Sequence, residues 1–309
     1  MFISVVIPLK DEEENVAKMH QELKTVFNKE KLQGEFIFID DGSSDETLAE
    51  LKKLNPIKII SFRKNFGQTA AMDAGIKESR GDVIVTMDGD LQNDPADILK
   101  LLEKLEEGFD VVSGWRKNRK DSFSKRFISR GANILRGILI RDGIQDSGCS
   151  LKAYRKECFE DVDLYGEMHR FIPAVLKIKG FKIGEVIVNH RPRVAGVTKY
   201  GIKRVFKSIL DMLSVWFWRK FASRPLHLFG FAGLFSGAVG FSLLVWMFVE
   251  RIVWGNPIGN RIWPTIGIVL MIAAVQFLVF GLLADILIKT FHRVRDERPY
   301  NIKEVVENK

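Results

Sequence analysis

The chain has 309 residues, 46% of them hydrophobic, and a formal net charge of +8. That length suits one large domain or two smaller units with a sizeable core, and the basic balance suits an anionic partner: nucleic acid, a phosphorylated small molecule or an anionic membrane surface. The two cysteines, Cys149 and Cys158, match no metal or redox spacing, which excludes cysteine-based metal and redox sites and leaves reduced, buried thiols of a cytosolic compartment.

The chain opens MFISVVIP. This run is too short for the apolar region of a signal peptide, lacks a basic start and meets the acidic KDEEEN directly. It is expected to form a first strand over residues 3–8. A helix follows over 13–28, with Val16, Met19, Leu23, Val26 and Phe27 on its apolar face. Strand two, 35–39, ends in Asp40-Asp41-Gly42-Ser43-Ser44-Asp45. A helix over 47–54, a strand over 57–61 and a helix over 69–79, stopped by Gly81, come next. Strand four covers 82–87, a helix 98–107 and strand five 110–114. Strands alternating with helices of this length imply βαβ units, an α/β class and a mostly parallel, Rossmann-like sheet.

Beyond residue 202 the composition changes. No charged residue occurs over 228–249 or over 262–284. Each run is long enough for a hydrocarbon core, which needs about 20 residues, and the remaining chain is too short to wrap two such helices. A two-helix transmembrane hairpin in a lipid bilayer is expected. Lys203, Arg204, Lys207, Arg219, Lys220 and Arg224 precede it, and Lys289, Arg293, Arg295 and Arg298 follow, whereas the connection holds only Arg251 and Arg261. The positive-inside rule then puts both chain ends in the cytoplasm, with Trp246, Trp254 and Trp263 near the interfaces. Between the two materials, Val205, Ile209, Met212, Leu213 and Trp216 recur at helical spacing. That pattern fits a helix lying in the headgroup plane or an ordinary amphipathic helix packed on the soluble part. The expected divisions are 1–202, an α/β domain; 203–224, the amphipathic helix; 225–290, the hairpin; and 291–309, a cytoplasmic tail.

Open parallel sheets bind ligands at the carboxyl ends of their strands. Three of these ends carry acids: Asp11-Glu12, Asp40-Asp41 and Asp88-Gly89-Asp90. Asp88 and Asp90 share a face of extended chain. Two carboxylates about 4 Å apart repel by roughly 4 kcal/mol at an effective dielectric near 20. A hard divalent cation, Mg²⁺ or Mn²⁺, offsets that repulsion, and Gln92 continues the spacing with an amide oxygen. Capping of the next helix explains the pair less well, because Asp94-Pro95 already supplies a cap. No GxGxxG follows a strand and no GxxxxGK[ST] occurs, so a dinucleotide site and a P-loop are unsupported. The five histidines have no zinc spacing, and the basic clusters form no nucleic-acid module. Arg116 follows strand five on the acidic rim, so it is a candidate for gripping a phosphate.

The motifs IPLKDEEEN (7–15), FIDDGSSDET (38–47), RKNFGQTAAMDAG (63–75), RGDVIVTMDGDLQNDP (80–95), VVSGWR (111–116), DSGCSLKAYR (146–155), YGEMHRFIP (165–173) and RVAGVTKYG (193–201) resemble glycosyltransferase family 2. Within it the chain is similar to the polyprenyl-phosphate glycosyltransferases, the group of dolichol-phosphate mannose synthase and of bacterial enzymes that load glucose or another sugar onto undecaprenyl phosphate. The motifs span nearly all of the soluble half in family order, and the hairpin matches the bacterial two-helix subgroup. Lys10-Asp11 departs from the Tyr-Asn of many members. The resemblance implies a GT-A fold and a nucleotide-diphosphate sugar donor, UDP-linked by the bacterial subgroup. It implies that Pro8, Leu9, Glu12, Asp40, Asp41 and Asp88 bind the nucleotide sugar, and that Asp88, Asp90 and Gln92 hold Mg²⁺ or Mn²⁺. It places Arg116, Arg130, Arg193 and Lys199 on the acceptor phosphate and Asp146 at the position of the candidate base.

These expectations describe an inverting, metal-dependent hexosyltransferase of the inner (plasma) membrane acting on a polyprenyl phosphate, with no nucleic-acid partner and no bar to a homo-oligomer. Two rivals stand beside it. A transferase acting on a glycolipid hydroxyl needs a base, so Asp146 would be indispensable there. A catalytically inactive membrane adaptor with the same fold would have no use for intact Asp88, Asp90 and Asp146.

Overall fold

The computed structural model describes residues 1–117, 143–160, 162, 164, 166, 168–192, 225–255 and 261–295. The chain divides into two compact units, one within residues 1–216 and one within 217–309.

In the first unit the strands are β1 Phe2–Leu9, β2 Gln33–Asp40, β3 Lys58–Ser61, β4 Val83–Thr86, β5 Val111–Trp115, β6 Lys152–Arg155 and β7 Ile183–Ile187. The helices are α1 Val16–Lys29, α2 Thr47–Leu51, α3 Gln68–Lys77, α4 Ile98–Glu106 and α5 Ile172–Ile178. The seven strands form one sheet in the order β3-β2-β1-β4-β6-β5-β7. β6 runs antiparallel to both β4 and β5, and every other pairing is parallel. The mostly parallel sheet expected from the sequence is borne out.

Side chains alternate across a strand with period two, so each strand supplies both faces. Ile3, Val5, Ile7 and Leu9 of β1 pack in one layer with Met19 and Leu23 of α1 and Leu101 and Leu105 of α4. Val6, Ile37, Ile39 and Ile84 face the other way, toward Met72 and Ile76 of α3 and Ile172 and Leu176 of α5. Both cysteines are free and buried.

Three element boundaries differ from expectation for local reasons. α1 begins at Val16 rather than 13, because the acidic run before it is part of a loop interlock. Asp11 adopts φ 55° and its Oδ1 accepts from the Ser44 N–H at 2.8 Å. The N–H groups of Glu12 and Glu13 donate to Thr47 Oγ1 and Asp45 Oδ2. α2 is a single short turn ending at Leu51. α3 ends at Lys77, well before Gly81, whose absent side chain serves a close approach instead: a Cβ there would lie 2.5 Å from the Ser4 nitrogen of β1.

The second unit is a pair of helices, α6 Pro225–Trp254 and α7 Trp263–Arg295. Both are long and apolar enough to cross a membrane, with mean hydropathies of 2.0 and 2.7, and only 11% and 17% of their most apolar windows are buried. A helix in the heart of a soluble core would be mostly buried. The helices run antiparallel and approach through glycines. A Cβ on Gly233 would lie 2.9 Å from the Ala274 carbonyl, one on Gly240 2.8 Å from the Gly267 carbonyl, and one on Gly281 2.9 Å from Leu226 Cδ1. Small residues at such contacts let backbones come close where no hydrophobic drive separates helix from lipid. Arg261 Nη1 and Glu250 Oε2 pair at 2.6 Å across the hairpin end. α7 runs beyond the expected boundary at 290. The expected interfacial helix over 203–224 and the tail beyond Arg295 lie outside the described residues.

Candidate active site

In the strand order, the chain runs outward from β1 through β2 to β3, then returns to place β4 on the opposite side of β1. The crevice between β1 and β4 is therefore a topological switch point, where open α/β sheets take ligands. The acid turn after β4 sits at this place. Leu9 closes β1 and is buried, and a Cβ on Gly89 would lie 2.1 Å from its Cδ2. Glycine between the two aspartates thus lets the turn settle against the end of β1.

The expected nucleoside residues meet at the ends of β1 and β2. Pro8 and Leu9 pair in register with Ile39 and Asp40. Glu12 Oε2 accepts from Asn15 Nδ2 at 2.6 Å. Asp40 accepts from the Ser43 N–H at 2.9 Å and from Ser61 Oγ at 3.1 Å. Asp41 accepts from the Phe66 and Gly67 N–H groups at 2.7 and 2.9 Å. Its carboxylate therefore ties β2 to the chain entering α3. A cleft of about 410 Å³ opens beside Asp40, Ser43, Ser61 and Arg63.

Asp88, Asp90 and Gln92 occupy one tight turn. Asp90 is buried and its Oδ1 accepts from the Gln92 N–H at 3.1 Å. Between them Leu91 takes φ 61°, a left-handed conformation that costs a non-glycine residue about 1–2 kcal/mol. Asp88 keeps partial solvent access, its N–H donates to Ser150 Oγ and its Oδ1 accepts from Gln68 Nε2 at 2.7 Å. Burial pushes the Asp88 carboxyl above the ordinary aspartate range, and repulsion from Asp90 adds to the shift. Ser150, Arg116 and Lys152 act the other way without cancelling it.

No group of three or more His, Cys, Asp or Glu side chains is arranged to hold a metal among the described residues. The donor set is nonetheless of the kind a hard cation uses, two carboxylates with substrate phosphates and water completing the shell. On that donor chemistry the residues present fit a divalent cation.

Opposite the acid turn, β6 and β5 bring together residues 30 apart in sequence. Arg116 Nε and Nη2 donate to Asp146 Oδ2 and Oδ1 at 2.7 and 2.9 Å. Both side chains are largely buried, 11% and 16% exposed. Burial opposes the Arg116 cation, but the Asp146 carboxylate outweighs it and raises the guanidinium above its usual value. The turn carrying Asp146 is held from β7, where Glu185 accepts from the Gln145 and Asp146 N–H groups. The expected base and one expected phosphate cation are thus partners in a bidentate pair. Arg130, Arg193 and Lys199 lie outside the described residues.

Two residues of this rim were given no role in the sequence reading. Lys152 stands in register with Thr86 of β4 and is 2% exposed. Burial pushes its ammonium pKa down, while Asp146 and Asp88 oppose that. In sequence it was visible only as part of the DSGCSLKAYR motif. Gln68, at the start of α3, was visible only as part of the RKNFGQTAAMDAG motif. Burial pushes the neighbouring Cys149 thiol up to about 11, so it is a neutral packing group rather than a nucleophile.

Solved structures share this architecture. The glucosyl-3-phosphoglycerate synthase of Mycobacterium tuberculosis, solved with Mn²⁺, uridine diphosphate and glucosyl-3-phosphoglycerate, aligns with a TM-score of 0.56 and 17% identity over 71% of this chain and 79% of that one. The mannosyl-3-phosphoglycerate synthase of Rubrobacter xylanophilus aligns with a TM-score of 0.58 and 16% identity over 69% and 73%. These likenesses establish the GT-A fold. The sequence profile described as glycosyl transferase family 2 matches residues 4–163. The dodecaprenyl-phosphate galacturonate synthase of Rhizobium johnstonii is 40% identical over 99% of this chain and 93% of its own. The undecaprenyl-phosphate 4-deoxy-4-formamido-L-arabinose transferase of Salmonella choleraesuis is 31% identical over 98% and 93%. The chain belongs to glycosyl transferase family 2 and is a glycosyltransferase, as its motifs implied.

Proposed function

We propose that this chain transfers a sugar from a nucleotide-diphosphate donor to a polyprenyl phosphate at a membrane surface, with inversion at the anomeric carbon. The observation that carries the reading is the rim itself: the acid turn of Asp88 and Asp90 faces the Arg116–Asp146 pair across neighbouring strand ends. The names of the two relatives, both polyprenyl-phosphate sugar enzymes, support it. The donor we assign is a UDP-linked hexose such as UDP-glucose, and the acceptor undecaprenyl phosphate. A UDP-linked hexuronate is the second reading, favoured by the galacturonate in the name of the Rhizobium relative.

In this reading Asp88, Asp90 and Gln92 hold Mg²⁺ or Mn²⁺, which when bound neutralises charge on the leaving diphosphate. Pro8, Leu9, Glu12 and Asp40 bound the nucleoside, and Asp41 shapes that side by holding the 62–67 loop. A lipid phosphate oxygen forms the new bond to the anomeric carbon. The bond from that carbon to the donor diphosphate breaks, and its electron pair leaves with the nucleotide. A phosphate oxygen is already anionic near neutral pH, so no base has to remove a proton. Asp146, with both oxygens receiving Arg116 N–H bonds, orients that guanidinium, and Arg116, Arg130, Arg193 and Lys199 attract the acceptor phosphate.

α6 and α7 span the inner membrane with both chain ends cytoplasmic, and residues 1–202 supply the catalytic domain. Tethering confines enzyme and lipid acceptor to one surface and raises their effective concentration. The test is transfer from labelled UDP-glucose, UDP-galacturonate and GDP-mannose to undecaprenyl phosphate in membranes carrying the chain, with Mn²⁺, Mg²⁺ or EDTA. Metal-dependent labelling of the lipid supports the reading. Labelling of a glycolipid hydroxyl instead, or of nothing by folded protein, refutes it.

A further inference from the structure

The acid turn is a strained loop that needs anchors on both sides. Asp90 holds it from within through the Gln92 N–H at 3.1 Å. The outer anchor comes from the segment after β7. The Arg191 N–H donates to the Gln92 carbonyl at 2.8 Å, and Asn93 and His190 form an isolated antiparallel bridge. The Asn189 N–H donates to Asp97 Oδ2 at 2.5 Å. The Arg191 guanidinium then divides between two elements, with Nη2 at 2.8 Å from Asp94 Oδ1 of the turn and Nη1 at 2.6 Å from Glu22 Oε2 of α1. Its side chain is 38% exposed, so each ion pair alone would add little stability. What the planar fork supplies is register, because one rigid group fixes the turn against a helix that has no other part in the site.

We propose that Arg191 is a positioning residue for sugar transfer: it clamps the 88–94 turn between α1 and the segment after β7, holding Asp90 and Gln92 where the donor's diphosphate requires them. The proposal rests on the functional reading above, since that reading assigns this turn to the donor. Arg191 touches no reacting atom and acts through Gln92 and Asp94.

The experiment uses the full chain in detergent as wild type, Arg191→Gln, Arg191→Lys, Glu22→Gln and the Arg191→Gln/Glu22→Gln double variant. Two readouts are taken: hydrogen exchange of the 88–94 amides, and the Mn²⁺ concentration that half-saturates UDP binding. Arg191→Gln is expected to speed exchange in 88–94 while β1 and β4 stay protected, and to raise the Mn²⁺ requirement about 10-fold, as loss of a group supporting metal ligands does. Glu22→Gln shifts both in the same direction by less. The double variant is no worse than Arg191→Gln, because both removals cut one link. Arg191→Lys recovers part of the effect. Unchanged exchange in 88–94 overturns the clamp. A lower melting temperature with an unchanged Mn²⁺ requirement overturns the positioning role. A wild type without Mn²⁺-dependent UDP binding overturns the donor assignment of the turn, and with it the functional reading.

Discussion

Two strand ends of this sheet each present a pair of carboxylates, and the pairs are built differently. At the end of β2, Asp40 and Asp41 accept from three backbone N–H groups and a serine hydroxyl. These acids hold loops in place. At the end of β4, Asp88 and Asp90 share one turn, and burial with mutual repulsion pushes the Asp88 carboxyl up. Here two acids crowd one turn instead of tying separate loops. Proximity of acids does not by itself make a metal site; one pair ties loop N–H groups, whereas the other sets two carboxylates in one turn with the Asp88 carboxyl raised.

The comparison breaks most sharply at Asp90. Asp90→Ala is expected to lower transfer about 100-fold or more, since a bound cation supplies several kcal/mol of transition-state stabilisation, while the protein stays folded by circular dichroism. Arg116→Gln removes both guanidinium bonds from the largely buried Asp146 carboxylate and is expected to cost about 3 kcal/mol of stability, read from urea titrations of the first unit's fluorescence. Asp41→Ala removes two charge-assisted bonds to the loop before α3 and costs about 2 kcal/mol. It raises the KM for donor, but the Mn²⁺ requirement stays that of the wild type.

The smallest stability effect has the opposite sign. The Asp88 carboxyl is raised in the folded state, so between its unfolded value and its folded value the folded protein binds more protons. Its contribution to stability is complete at low pH and is lost as pH rises through the folded pKa. Asp88→Asn is therefore expected to raise the melting temperature of metal-free protein at neutral pH while abolishing transfer. The gain shrinks as pH falls toward the unfolded value of 3.8. A destabilised Asp88→Asn at neutral pH would place Asp88 with Asp41 among the acids that hold the fold.

Much of the first five strands was legible because each is an apolar run bounded by charged or glycine-containing turns. The acid turn was legible because period two sets i and i+2 on one face. Other features depend on tertiary pairing. Asp11, Glu12 and Glu13 resemble a helix start, yet they lock two loops together. β6 is four residues long with Lys152 and Arg155 at its ends, so no apolar run announces it, and nothing local signals that it reverses direction in a parallel sheet. The Arg116–Asp146 pair exists only because β5 and β6 are neighbours. Lys152 looks in sequence like any solvated lysine until its burial beside β4 is known. The hairpin was the reverse case, since charge-free runs of that length need no tertiary knowledge.

The most direct test of the difference between the two acid pairs is UDP binding to the full chain by calorimetry, with Mn²⁺ and with EDTA, for wild type, Asp41→Ala and Asp90→Ala. The account predicts that wild type and Asp41→Ala bind UDP only with Mn²⁺, Asp41→Ala more weakly, and that Asp90→Ala does not bind it in either condition. UDP binding by wild type that is equally tight in EDTA, or that survives Asp90→Ala unchanged, would contradict it.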